Sequence, residues 1–151
     1  MTSSSLFDPP TSRDIAEDLV WGITKHPSHA ALDVGEFRHA NGLHIGDRPD
    51  STQADLELHA RLLTEEVSEF AIAVRERDPH EILDAISDVI YVAYGAALDC
   101  GYDADRALRI VHAANMRKLG PDGKPIIDEH GKIRKPEGWR PPDLTSIVEA
   151  A

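Results

Sequence analysis

The chain has 151 residues, a single cysteine and a formal net charge of −11. That length suits one domain that buries its own core without disulfide staples. So acidic a chain lacks the basic face of a general nucleic-acid binder, and no apolar run approaches the roughly 20 residues of a membrane span. Met1–Leu6 has neither a basic start nor an apolar signal core, and one cysteine forms no intrachain disulfide, so the reading is a cytoplasmic protein. Cys100 falls at an apolar helix end, where packing is the expected role.

Residues 1–11 are rich in Ser, Thr and Pro and are expected to be loose. Ile15, Leu19, Val20 and Ile23 recur at helical spacing behind Ser12, a plausible N-cap. His26-Pro27-Ser28 breaks that helix. A second is predicted from about His29 to Asn41, with Gly42 just past its end. A loop over Leu43–Asp50 precedes a third helix, capped by Ser51 or Thr52 and running to about Arg77 with Leu56, Leu63, Val67, Phe70 and Val74 as its stripe. Asp78-Pro79-His80-Glu81 opens a fourth, with Asp78 as N-cap, Pro79 at the first position and Glu81 where a capping-box acid belongs. It ends near Cys100-Gly101. Asp103 caps a fifth, running to about Lys118 and stopped by Leu119-Gly120-Pro121. Lys124–Lys135 reads as a short hairpin turning near Asp128–Gly131, and Thr145–Ala150 as a last helical turn. The class is all-α, a helical bundle with a short C-terminal hairpin and extended arm. Residues 1–30 read as a partly helical extension, 31–120 as the core and 121–151 as the arm. The arm is basic: Arg117, Lys118, Lys124, Lys132, Arg134, Lys135 and Arg140 crowd together at the end of an acidic body. It is either a solvated tail or an anion-facing element.

The informative residues are acids where a helix should be apolar. Glu65, Glu66 and Glu69 project from nearly one face within one turn of the third helix. Exposed glutamate clusters are common, and a solvated face is the plain alternative. The fourth helix is apolar almost all round from Ile82 to Leu98, as expected of a central helix, yet carries Asp84 and Asp88 at i,i+4. Buried carboxylates need a cation or a proton. Either they pair with Arg61, Arg75 or Arg77, or a divalent metal neutralises them; Mg²⁺ prefers carboxylate oxygens and keeps water and substrate phosphates as further ligands. The polar stripe continues through Glu81, Tyr91 and Gly95. Glu81 reads as a cap, Tyr91 as a ligand border or a packing residue, and Gly95 as a point of close helix approach. Asn115 and Lys118 are i,i+3 neighbours at the end of the fifth helix, where lysine also suits the helix dipole.

Four motifs in order, Glu-Glu-x-x-Glu at 65–69, Asp-x-x-x-Asp-x-x-Tyr at 84–91, Asn-x-x-Lys at 115–118 and Lys-Pro-Glu-Gly-Trp-Arg-Pro-Pro-Asp at 135–143, resemble the all-α nucleoside triphosphate pyrophosphatase superfamily. The branch is the one similar to MazG and phosphoribosyl-ATP pyrophosphohydrolase, some of whose members act on dUTP. The resemblance covers about residues 34–148. It implies that Glu66, Glu69 and Asp88 ligate Mg²⁺, with Mn²⁺ able to substitute, and that Glu65 binds a further metal or orients the attacking water. It implies that Asn115 and Lys118 contact phosphates or sugar, that Tyr91 borders the substrate, and that the arm with Trp139 closes over it. The substrate would be a nucleoside triphosphate, with dUTP or a non-canonical nucleotide as candidates, and the products a monophosphate and pyrophosphate. Phosphoribosyl-ATP is disfavoured by the longer arm. A homodimer or a dimer of dimers is expected, with neither nucleic acid nor membrane as partner. One departure stands out: where many members carry Glu three residues before the equivalent of Asp88, this chain has Ala85, and Asp84 is the natural substitute. It keeps a second reading open, a weak or inactive member that binds nucleotide or partners without turnover. A ferritin-like di-iron site would need paired Glu-x-x-His motifs, and Glu36-Phe-Arg-His39 stands alone.

Overall fold

The computed structural model describes residues 9–46, 52–120 and 122–150. Six helices lie among them: α1 (Ser12–Ile23), α2 (His29–Ala40), α3 (Gln53–Glu76), α4 (Pro79–Asp99), α5 (Ala104–Met116) and α6 (Thr145–Val148). The all-α class and the predicted order of elements hold. Ser51, Pro121 and the end of the 43–50 loop lie outside the described residues, as do the first eight. The chain divides into two compact units, Met1–Ala104 and Asp105–Ala151.

Helix starts follow capping chemistry. Thr11, one residue before the expected Ser12, caps α1 and closes a capping box with Asp14. Ser28 caps α2, and Thr52 caps α3 through a second box with Asp55. The Thr52 hydroxyl and N–H both donate to the Asp55 carboxylate, which holds it below the usual carboxylate range. Asp78 accepts from the N–H groups of His80 and Glu81, and Pro79 fills the first helical position. The expected return bond from Glu81 is replaced, because the Asp78 N–H donates to the Ala73 carbonyl. Arg77 sits in the left-handed region at φ 58°. Arg77 and Asp78 alone connect α3 to α4, and so short a link folds the two helices back on each other.

In the first unit α1 packs on α2, α2 on α4 and α3 on α4. Val20, Ala31, Val34 and Leu98 form the core, with Ile23, Leu32 and Tyr94 packed against it. A Cβ on Gly35 would lie 2.5 Å from the Val20 Cγ2 atom, so the glycine permits the close approach of α1 to α2. Arg13 reinforces that pairing, bonding Glu17 on its own helix and reaching Asp33 at 2.7 Å and Glu36 at 2.9 Å on α2.

A buried polar group ties α2, α3 and α4 together. The Arg38 guanidinium donates to Asp99 Oδ1 (2.5 Å), and His59 Nε2 lies 2.9 Å from Asp99 Oδ2. All three residues are buried. Arg38 Nε also donates to the His44 carbonyl, and the Gly46 N–H to the Leu98 carbonyl, so the start of the α2–α3 loop is fastened to the same point. Nothing in the helical periodicity announces this group. A buried charge stripped of its partner is costly. Arg38→Met should lower unfolding free energy by about 3–5 kcal/mol in chemical denaturation. The double variant with Asp99→Leu should lose less than the sum of the single losses, because neither buried charge is then stranded.

In the second unit the chain leaves α5, pairs Leu119 with Pro125 and Ile127 with Ile133, and turns at Asp128, whose carboxylate accepts from the His130 and Lys132 N–H groups. This is the expected hairpin, reduced to isolated bridges. Arg106 of α5 holds Ser146 of α6 through two hydrogen bonds.

The fourth helix departs from expectation. Its buried residues are Ala85, Gly95, Leu98 and Asp99, while Leu83 is 66%, Ile90 49% and Ile86 40% exposed. Val67, Ile72 and Val74 of α3 are exposed as well. An all-round apolar helix therefore keeps an exposed apolar stripe, Leu83, Ile86 and Ile90, among the described residues. Among the described residues no helix is long and apolar enough to cross a membrane.

Candidate active site on the α3–α4 hairpin

The fold-back of α4 on α3 opposes the two acidic stripes. Buried Ala73 and Ala85 leave room for the helices to approach. A cleft of about 160 Å³ opens beside them, lined by Glu69, Ile72, Ala73, Glu76, Glu81, Asp84 and Ala85. Glu69 from α3 and Asp84 from α4 thus share one cavity.

Glu66 is half-buried and is the group most affected by its neighbours. Its carboxyl is pushed above the usual range, first by burial, then by Asp88, Glu69, Glu65 and Asp84 in turn. The other four acids singled out in the sequence therefore all act on Glu66, Glu65 and Glu69 from its own helix and Asp84 and Asp88 from the facing one. Among the described residues none of the five enters an ion pair, so the alternative in which Arg61, Arg75 or Arg77 neutralises Asp84 and Asp88 is not what the structure adopts.

Two points correct the sequence reading. Asp84 and Asp88 were expected to be buried, and both are exposed, as are Glu65 and Glu69; only Glu66 is partly enclosed. Among the described residues no three acidic, histidine or cysteine side chains stand close enough to enclose an ion. The donor set itself still fits a hard divalent cation: oxygen-only ligands on facing helices, mutually repelling and without a counter-charge. The Glu-to-Ala departure also has a structural meaning. Ala85 is buried at the cleft and brings no oxygen to it, whereas Asp84 brings a carboxylate to the same cleft as Glu69.

Tyr91 lies edge-on to Phe37 of α2, ring centroids 5.7 Å apart, and is partly exposed. Burial, then the nearby Asp33 and Glu36, raise its phenol above the ordinary value. Gly95 is buried; a Cβ there would meet Arg38 and Val34 at ordinary contact distance. Asn115, Lys118 and Trp139 belong to the second unit. Asn115 is exposed, and Lys118 and Trp139 are half-buried. The Trp139 indole N–H donates to the Ala114 carbonyl (2.9 Å), and the Lys118 and Lys135 ammonium groups lie over its ring at 5.7 and 4.4 Å from the centroid. Sequence places Lys135 only within the basic arm, as a solvated or anion-facing residue, with no role of its own. The Pro-Glu-Gly turn that returns it to Trp139 was the available signal.

Residues 34–115, more than half of the chain and spanning both acidic stripes, match the family model for phosphoribosyl-ATP pyrophosphohydrolase. The chain belongs to the phosphoribosyl-ATP pyrophosphohydrolase family. An uncharacterized protein of Acanthamoeba polyphaga mimivirus is 30% identical over 107 residues, which cover 68% of this chain and 40% of that relative. The chain thus spans well under half of the curated relative's length. The family is named for a nucleotide pyrophosphohydrolase, and the matched residues span the whole α3–α4 hairpin.

The strain on Glu66 makes a prediction. A carboxyl whose pKa is raised by folding destabilises the fold when ionised, fully so above its folded pKa, and the penalty disappears once pH falls below the unfolded value. In chelator at neutral pH, Glu66→Gln should therefore raise the thermal midpoint by about 1–3 °C. The gap should close as pH is lowered through the carboxylate range, as followed by circular dichroism melts.

Proposed function

We propose that this chain is a Mg²⁺-dependent nucleoside triphosphate pyrophosphohydrolase, with Mn²⁺ able to substitute, that cleaves a deoxynucleoside triphosphate to the monophosphate and pyrophosphate. The observation that carries the reading is the set of four carboxylates of α3 and α4 acting on Glu66 with, among the described residues, no protein cation paired to any of the five. Glu66, Glu69 and Asp88, with Asp84 in place of the missing glutamate, would hold the metal. When bound, a divalent ion neutralises phosphate oxygens and acidifies water. Glu65 is exposed beside this group and is suited to accept a proton from the attacking water or to orient it. Attack at the α–β linkage breaks one phosphoanhydride bond and releases pyrophosphate. Asn115 and Lys118 would contact phosphates or sugar, and Tyr91 against Phe37 offers an aromatic border. The candidate substrates are dUTP and non-canonical nucleotides, and the setting is cytoplasmic.

The same reading includes a homodimer, itself able to pair further. Leu83, Ile86 and Ile90 are exposed on the helix that carries Asp84 and Asp88. A second copy related by a two-fold axis would cover that stripe with its own and bring water exclusion to the acids. Leu83→Glu should convert a species of twice the chain mass into monomer in sedimentation velocity; a wild-type monomer at micromolar concentration removes the dimer from the reading.

One observation favours a second reading. Ala85 is buried and offers no donor where the resemblance leads one to expect glutamate, which fits a member that binds nucleotide without turnover. A panel of canonical and modified triphosphates with Mg²⁺, read as pyrophosphate release, separates the two. Turnover abolished by chelator and reduced at least about 100-fold in Asp88→Asn is the expected result. Orthophosphate as the direct product, or full activity in Asp88→Asn, contradicts the proposal, and nucleotide binding with no turnover supports the second reading.

A further inference from the structure

Trp139 is tied down within its own unit, through both its donor and its ring. Its indole N–H is spent on the Ala114 carbonyl, in the last turn of α5, where backbone acceptors lack helical partners. Its ring is overlaid by two ammonium groups, Lys118 at 5.7 Å and Lys135 at 4.4 Å. The local chain explains both. Lys118 follows the end of α5, its N–H bonded to the Asn115 carbonyl. Lys135 is returned to the ring by a β-turn: the Trp139 N–H donates to the Pro136 carbonyl, and Gly138 supplies the positive φ of 75°. Among the described residues neither lysine enters an ion pair. Two like charges are thus drawn to one aromatic ring in a chain of strongly acidic balance.

We propose that Trp139 is a positioning residue that gathers Lys118 and Lys135 into a paired-cation site for a polyphosphate chain. The indole supplies a fixed, uncharged platform: it attracts each ammonium through its π face and leaves the hydrogen-bonding capacity of both for an anion. A linear polyphosphate, with charged oxygens on successive phosphorus atoms, can engage both cations at once, which a single carboxylate cannot. Lys135 is the new member of the site. The inference rests on the pyrophosphohydrolase reading for its ligand class, and it replaces the expectation that Trp139 itself contacts the nucleotide.

The test uses the full chain carrying Trp21→Phe, which leaves Trp139 as the sole tryptophan, titrated with inorganic tripolyphosphate in chelator. Ligand that draws the two ammonium groups to itself should change Trp139 emission saturably. The apparent Kd should weaken at least tenfold in Lys135→Met and in Lys118→Met, while Lys135→Arg, which keeps charge and ring contact, restores binding. Trp139→Phe keeps a ring without the indole donor and should raise KM for a triphosphate more than it lowers kcat. An unchanged emission, the same change with chloride at equal ionic strength, or an unaltered Kd in both methionine variants overturns the proposal. Because the titration needs neither metal nor turnover, loss of the lysine effect with hydrolysis intact sinks this inference alone. A lysine-dependent response in a protein that hydrolyses no triphosphate sinks the enzymatic reading alone.

Discussion

Carboxylates on two helices that cannot move apart are the constraint around which this molecule is arranged. The two-residue link through Arg77 and Asp78 and the small buried pair Ala73 and Ala85 hold α3 against α4. That packing sets Glu69 and Asp84 into one cleft and places Glu66 within reach of four other acids. An isolated domain gains nothing from such an arrangement. Like charges on neighbouring helices repel, and partial enclosure of Glu66 strengthens the effect. In the function proposed above, a divalent cation would relieve that repulsion, which the metal-free chain carries as a cost in stability.

The remainder of the first unit serves as the frame. Arg38, Asp99 and His59 join α2, α3 and α4 at the end of the hairpin remote from the Arg77–Asp78 turn, and the Gly35 approach with the Arg13 bridges attaches α1 to α2. The hairpin is thus closed at one end by a tight turn and at the other by a buried ion pair, with the acids between. The polar lock fixes helix register, which apolar packing alone does loosely. In the second unit the equivalent function falls to Trp139, whose indole organises the end of α5 and the arm through one hydrogen bond and two cations.

Much of this was legible in the sequence because it is local. Caps at Thr52 and Asp78, the glycine stops and the helical spacing of the acids depend on residues within one turn of each other, and the structure follows them closely. What failed to show was long-range. Asp99 ends an apolar helix and Arg38 sits among apolar neighbours in α2, but sixty-one positions separate them and no periodicity links the two. The burial of α4 was misjudged for a related reason: an apolar run states that a face needs covering and leaves open whether the same chain covers it. Leu83, Ile86 and Ile90 remain exposed, and Asp84 and Asp88 with them. Trp139 drew attention as an aromatic in a basic arm, yet its donor and ring are engaged inside its own unit, which only the turn at Gly138 discloses.

Direct titration of Mn²⁺ into the metal-free chain, followed by loss of the free-ion signal in electron paramagnetic resonance, addresses the α3–α4 acids without relying on any substrate. The account requires saturable binding at a fixed stoichiometry per chain, weakened by tenfold or more in Glu66→Gln and in Asp88→Asn and displaced by Mg²⁺. Failure to bind at millimolar Mn²⁺, or binding indifferent to both substitutions, would leave the crowded carboxylates without a purpose and contradict it.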